Sequence, residues 1–262
     1  RCIANISGVG SQFTKSKIFN IIMIHLYKTS LKFCPTVFFQ NESDREFFLE
    51  RQIVAPRQAK RILGSGVDIQ RFSPSPLRED GQDKFLFVGR LLRDKGILIF
   101  AEAAERLKAE FGAAVSFRAV GPFIPGNPNA VTREEVERWQ IGGIVDFIGP
   151  SDQIEADIAA SDCVVLPSFY GEGVPKSLLE AAACGRAAVT TTMPGCSDAV
   201  VHGETGFLCQ PESVESLVGA LKSFRQLTLA ERNDMANAAS AKAAREFSDA
   251  TNIQLYIDAI DT

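Results

Sequence analysis

Two carboxylates eight residues apart carry the most chemistry in this chain, in Ser168-Phe-Tyr-Gly-Glu-Gly-Val-Pro-Lys-Ser-Leu-Leu-Glu180. Glu172 stands among glycines just before Pro175, where a helix can begin. Glu180 lies inside that helix, which Gly185 can close in a left-handed conformation. One acid is therefore expected on a mobile loop lip and the other on a rigid turn behind it. That suits gripping two separated hydroxyl-bearing parts of one ligand. On spacing alone the plainer reading, a solvated helix start with ordinary surface acids, stands ahead of it.

A second candidate is Gly89-Arg-Leu-Leu-Arg-Asp-Lys-Gly96, a strand-to-helix corner with three positive charges. Arg90 can grip phosphate oxygens as a planar fork, and Lys95 offers a compact charge near the helix start. Backbone N–H groups at a helix start assist any anion. The alternative is a solvated basic turn. No G-x-G-x-x-G follows a strand, and Gly89 and Gly96 lack P-loop spacing, which disfavours a dinucleotide redox enzyme or a kinase-like fold. A carboxylate such as Glu180, about one turn into its helix, could accept two vicinal ribose hydroxyls. Glu172 could meet a sugar on the other side of a diphosphate, each charge-assisted bond contributing roughly 1.5–3 kcal/mol. No second acid is visibly paired with Glu172, as a hydrolase would require.

The elements that must position these residues are legible from residue 84 onward. The continuous apolar run at 85–88 reads as a strand, and further strands are expected at 115–120, 145–148, 163–166, 187–191 and 206–209. Amphipathic or polar helical segments are expected at 95–111, 133–140, 152–160, 175–184, 214–224 and 229–244, with a turn at Pro194-Gly195. Such alternation predicts an α/β fold, a doubly wound parallel sheet. Ligands of such sheets collect beyond the carboxyl ends of the strands. Gly89 and Arg90, Gly121, and Ser168 to Glu172 all fall there. Before residue 84 the pattern is sparser: a helix over 12–33, a short strand at 36–39, a helix from Asn41 to about Glu50 and a strand over 59–63. A polar, proline-bearing linker spans 73–82. The first residues show no complete strand–helix unit and the chain starts at Arg1, so it reads as beginning in the middle of a protein.

Composition bounds the rest. With 45% hydrophobic and 23% charged residues the chain is that of a folded protein. The net charge of -4 is uneven: residues 1–76 hold 11 Lys/Arg against 5 Asp/Glu, the remainder 17 against 27. A basic opening segment suits phosphate or an anionic membrane surface, or is simply solvated. It lacks the aromatic interleaving that would make nucleic acid the first guess. The six cysteines form no C-x-x-C pair and are expected as buried free thiols. Two histidines, His25 and His202, make a His-rich zinc site improbable, and both read as packing, surface or loop residues. No signal peptide is visible, and the apolar run at 18–26 is too short to cross a bilayer. Nineteen Phe against one Trp and three Tyr is a bias without a functional account in the sequence.

Arg90 and Lys95 in GRLLRDKG, with Glu172 and Glu180 in EGVPKSLLE, resemble the glycosyltransferase 4-like signature with its E-x7-E element. The resemblance extends through GSGVD (64–68), FIGPSDQI (147–154), SDCVVLPS (161–168) and MPGCSDAVVHGETGFL (193–208) to the terminal FSDATNIQLYIDAI. It implies the GT-B fold, two Rossmann-like domains with the nucleotide-sugar held mainly by the second. YGEGVPKSLLEA, MPGC and VFFQNESD look most like the subgroup that adds hexose or N-acetylhexosamine to polyprenyl-diphosphate-linked sugars. By resemblance, Arg90 and Lys95 neutralise the leaving diphosphate, Glu180 holds ribose, and Glu172 contacts the donor sugar. Backbone around Gly173-Val174 approaches sugar and diphosphate, with Gly89 and Gly121 lining the nucleotide. UDP is the first choice of nucleotide, with GDP and ADP open. No metal is required, the donor's configuration is retained, and a donor phosphate oxygen helps to deprotonate the acceptor.

The resemblance also implies an organisation. Residues 1–70 would be the end of an acceptor-side domain, 71–245 a nucleotide-sugar-binding domain, and 246–262 a helix crossing back. Two departures stand out: Gly171 replaces an Arg common before the first Glu, and the first half of a full GT-B enzyme, with its glycine-rich loop and histidine, is absent. The expected partners are a nucleotide-sugar and a glycan or polyprenyl-diphosphate-linked acceptor, with peripheral contact at the inner face of the cytoplasmic membrane. Two other readings stay open: a GT-B-shaped nucleotide-sugar epimerase, and a truncated protein that binds without turnover.

Overall fold

Short strands pair in parallel in two separate sheets, and helices cover the faces of the central, buried strands. The computed structural model describes residues 2–8 and 17–261. The small sheet has the order β1-β2-β3, with β1 (Ile3–Ile6), β2 (Thr36–Phe39) and β3 (Ala59–Arg61) all parallel. β1 was not legible beforehand. Ile3-Ala-Asn-Ile6 is short and carries a polar residue, and it becomes a strand by pairing with β2 in the register Ile3↔Thr36. The helix expected over 12–33 is α1 (Lys17–Leu31) in the described residues; 12–16 lie outside them. α2 (Glu42–Glu50) is capped by Asn41, whose side chain accepts from the Asp44 N–H, as the Asn-x-x-Asp spacing favours.

The large sheet comprises β4 (Asp83–Val88), β5 (Val115–Val120), β6 (Asp146–Gly149), β7 (Cys163–Leu166), β8 (Ala187–Thr191) and β9 (Gly206–Cys209). All its pairings are parallel, in the order β6-β5-β4-β7-β8-β9. The chain therefore builds outward from β4 to one side, then returns to place β7 on the other. This is a topological switch point, and the crevice beyond the carboxyl ends of β4 and β7 is where such sheets receive ligands. Helices α3 (Ile97–Phe111), α4 (Arg133–Ile141), α5 (Ile154–Ala159), α6 (Lys176–Ala183), α8 (Val214–Gln226) and α9 (Leu229–Lys242) pack around it. A further single turn, α7 (Cys196–Ala199), follows Gly195 where the sequence suggested only a turn.

The phenylalanine bias has a structural outlet. Phe85, Phe87, Phe100, Phe117 and Phe224 are all fully buried between β4, β5, α3 and α8, with Phe85 stacked on Phe117 at 5.0 Å. Arg186 is buried at 1% exposure, where its guanidinium donates to the carbonyls of Ala159, Ser161, Ser75 and Pro76. It thus ties the proline-bearing linker to the sheet. After a π-turn at Ala243–Phe247, α10 (Asp249–Asp261) packs against the small sheet, with Tyr256 edge-on to Phe38 at 4.8 Å. Five cysteines are buried and all six are free thiols. Exposed Cys2 lies 3.3 Å from buried Cys34, sulfur to sulfur.

Candidate functional site

β4 ends at Val88, and the chain turns outward through Gly89 and Arg90. Gly89 N–H donates to Val120 C=O, and Gly121 follows β5 with φ +151. A Cβ on Gly121 would lie 1.9 Å from Gly89 O, so glycine there is a requirement of two backbones touching. Arg90 is exposed, and its guanidinium makes no hydrogen bond or ion pair with the described residues. It is available to an anion. Arg93, also in the basic corner, is not: it binds Glu135 in two-pronged fashion at 2.8 and 2.9 Å.

The helix expected from Lys95 begins two residues later. Arg93–Lys95 form a 3-10 turn, and Gly96 takes φ +80 before α3 starts at Ile97. A Cβ on Gly96 would meet Pro167 O at 2.1 Å, so the close passage of the segment after β7 makes that break. Lys95 is thereby turned towards the β7 side. Its ammonium pairs with Glu172, whose other carboxylate oxygen accepts from Ser168 Oγ at 2.7 Å. The two charged side chains are only 13% and 15% exposed. Phe169 N–H donates to Asp94 C=O at 3.0 Å, binding the β4 and β7 loops to each other by backbone.

Glu172 is thus not on a free lip. Its carbonyl accepts from Asn41 Nδ2 at 3.0 Å, and the next N–H, of Gly173, donates to Ser7 C=O at 2.9 Å. Both partners follow strands of the small sheet. The local sequence could not reveal this, because residues 7 and 41 are remote from 172 along the chain. The Gly173 N–H expected to approach sugar and diphosphate is occupied by Ser7, and Val174 is buried in the core beside Leu179. Gly195, φ +83, presses on the same loop: a Cβ there would sit 2.1 Å from Gly173 O.

Glu180 lies on α6 behind this cluster, half-buried. Burial pushes its carboxyl above the usual glutamate range, while Lys176 and Arg71 pull the other way and Glu155 adds to the rise. Arg71 is held by Glu155 through Nε at 3.1 Å and Nη2 at 2.8 Å. The expected acidic residues therefore fall into two separate groups. Lys95 and Glu172 touch; Glu180 keeps company with Lys176, Arg71 and Glu155. Asn41 had been legible only as the place where a helix begins, and Ser7 and Arg71 carried no signal. His25 is exposed on α1, and exposed His202 accepts from Leu208 N–H through Nδ1 at 3.0 Å. Among the described residues no helix is long and apolar enough to cross a membrane, and no group of three or more His, Cys, Asp or Glu is placed to hold a metal.

Comparison with known proteins agrees with this architecture. Residues 68–242 match the family "Glycosyl transferases group 1". The chain is 30% identical over 200 residues to the putative colanic acid biosynthesis glycosyltransferase WcaL of Escherichia coli K12, covering 73% of this chain and 48% of that one. It is 29% identical over 231 residues to a Campylobacter jejuni N,N'-diacetylbacillosaminyl-diphospho-undecaprenol alpha-1,3-N-acetylgalactosaminyltransferase, covering 82% and 58%. The chain spans about half the length of the curated relatives it matches. The solved structure of Anabaena Alr3699/HepE in complex with UDP and glucose superposes with a TM-score of 0.83 at 21% identity, over 99% of this chain and 71% of that one. The shared fold is of the GT-B type, and its switch-point crevice is where Arg90, Lys95 and Glu172 lie. With two thirds of its residues inside the family match, this chain belongs to the glycosyl transferases group 1 family.

Proposed function

We propose that this chain carries the donor-side machinery of a retaining glycosyltransferase. It moves a hexose or N-acetylhexosamine from a UDP-sugar to a glycan or a polyprenyl-diphosphate-linked sugar. The observation that carries the reading is the pairing of Lys95 with Glu172 at the switch point, beside an unengaged Arg90. Arg90 and Lys95 follow β4 and Glu172 follows β7, the two strands that meet at the switch point. Arg90 and Lys95 would meet the diphosphate, whose growing negative charge on departure is the main demand of the transition state. Glu180 would accept the ribose hydroxyls, and Glu172 would orient the sugar. The donor's own phosphate oxygen would take the acceptor proton, so that the reading calls for no metal and no protein nucleophile. The names of the relatives, one of which acts on an undecaprenyl-diphosphate-linked sugar, support the acceptor class.

In this reading residues 1–70 belong to the acceptor side, 71–245 to the donor side, and 246–262 to the crossing helix. The face of α1 supports a peripheral contact with an anionic bilayer at the cytoplasmic side. Ile18, Ile21, Ile22 and Leu26 are exposed beside Lys17 and Lys28, with Phe33 80% exposed beside Lys32. Lys15 lies outside the described residues.

The test is transfer from UDP-hexoses and UDP-N-acetylhexosamines to polyprenyl-diphosphate-sugar acceptors, with the anomeric configuration of the product read by NMR. Arg90→Ala is expected to weaken UDP binding roughly thirty-fold, the equivalent of one charged contact of ~2 kcal/mol. Unchanged UDP affinity refutes the diphosphate role. A sugar adduct on Glu172 in intact-mass analysis with donor alone refutes the mechanism. Absence of low-salt co-sedimentation with anionic vesicles refutes the membrane contact.

A further inference from the structure

The ends of two strands in the small sheet converge on the Glu172 loop of the large one. After β1, Ser7 C=O accepts from Gly173 N–H at 2.9 Å, and Gly8 lies so close that a Cβ on it would touch the Glu172 backbone at 3.0 Å. After β2, Gln40 packs against Gly173 so tightly that a Cβ on Gly173 would overlap its amide. Asn41 completes the contact. Its side chain is 1% exposed and every polar group on it is engaged. Oδ1 accepts from Asp44 N–H at 2.7 Å, capping α2, while Nδ2 donates to Asp44 Oδ2 at 2.8 Å and to Glu172 C=O at 3.0 Å.

One amide therefore does two things. It caps the start of a helix in the small sheet's layer, and it fastens the backbone of Glu172 to that helix. The second bond is not needed for the cap, because Ser or Asp at the same position would cap α2 equally well. Neither could donate to the Glu172 carbonyl from there. Serine is too short and an ionised aspartate has no proton.

We propose that Asn41 is a positioning residue for sugar transfer. Its Nδ2 sets the height of the Glu172 backbone, and through it the carboxylate that Lys95 and Ser168 orient. The proposal rests on the reading of Glu172 as the donor-sugar contact. It adds that the layer which does not hold the nucleotide governs the geometry of that contact. A shift of about 1 Å in a group that orients a reacting centre can cost on the order of a hundredfold in rate. Binding of UDP, which lacks the sugar, should hardly notice.

Asn41→Ser tests this against a purely structural role. It keeps the cap but also gives up the bond to Asp44 Oδ2, so the melting temperature should fall modestly. Hydrogen exchange of the amides at 171–174 should accelerate well beyond any rise in α2. Turnover should fall roughly ten- to a hundredfold with UDP affinity within about twofold. In combination with Glu172→Gln, Asn41→Ser should cause no further fall, because its effect passes through Glu172. Unchanged exchange at 171–174, or losses that multiply in the double variant, overturns the proposal. The exchange readout needs no activity. If the loop loosens as expected while the parent protein transfers no sugar, the strut stands and the sugar-donor reading falls. If sugar transfer proceeds and the loop is indifferent to Asn41, the reverse holds.

Discussion

Glu172→Gln should make UDP bind more tightly, although it removes a residue assigned to the reaction. Lys95 and Glu172 are paired at 13% and 15% exposure, where solvent screens them weakly. Gln keeps the shape and can still accept from Ser168, but leaves the Lys95 ammonium without its counter-charge. A charge-assisted bond of this kind is worth about 1.5–3 kcal/mol, and stranding one partner of a largely buried pair costs at least as much. For the free protein, a loss of about 2 kcal/mol lowers the melting temperature by roughly 4–8 °C. A diphosphate entering beside Lys95 restores the missing charge. In the parent protein the same diphosphate competes with Glu172 for that ammonium. The difference should appear as UDP affinity higher by about ten- to a hundredfold, with a larger UDP-induced rise in melting temperature. Sugar transfer should collapse in the same variant. Calorimetric titration with UDP, with thermal scans with and without it, reads each quantity directly. UDP binding unchanged or weaker in Glu172→Gln would refute the idea that Lys95 turns from Glu172 to the diphosphate.

Three other expectations rest on separate features. Gly195→Ala should lose about 1–3 kcal/mol in urea unfolding, from a left-handed φ of +83 and a Cβ aimed at Gly173 O, and should also slow transfer by displacing the Glu172 loop. A neutral result would mean that the loop yields freely. Arg186→Met should destabilise by about 2–4 kcal/mol, because the buried Ser161 carbonyl and the partly buried carbonyls around it would lose their shared donor; near-parental unfolding would contradict that role. Burial raises the Glu180 carboxyl above 4.5 in the folded state, so its contribution to stability is present below that value and is lost as pH rises through the folded one. Glu180→Gln should therefore be more stable than the parent protein near neutral pH and indistinguishable below roughly pH 4, while binding UDP less well. A constant stability difference across that range would refute it.

The strands of the large sheet were legible because Phe85–Val88 and Cys163–Leu166 are uninterrupted apolar runs, the mark of strands buried on both faces, while Val115–Val120 alternates through Ser116 and Arg118. β1 was not, because four residues with Asn5 among them form a strand only when β2 offers its edge. The start of α3 was misplaced by two residues for a similar reason. Gly96 is driven left-handed by the nearness of Pro167, a residue that enters from another strand.

The candidate site divides along the same line. Residue types and spacing by themselves placed Arg90, Lys95, Glu172 and Glu180 at strand ends, because apolar period and glycine punctuation are properties of a few neighbouring residues. Only the tertiary structure decided which of them meet. Parallel strand edges offer the same hydrogen-bonding groups all along, so nothing local states that β7 lies beside β4. That adjacency brings Lys95 to Glu172 and Asp94 to Phe169. The tertiary structure also decided, through α4, that Arg93 is taken up by Glu135 while Arg90 stays unengaged, a distinction invisible among three basic residues. The Glu172 loop looked mobile because its own sequence is glycine-rich. It is held because Ser7 and Asn41, far away along the chain, supply the hydrogen bonds that its backbone would otherwise give to water.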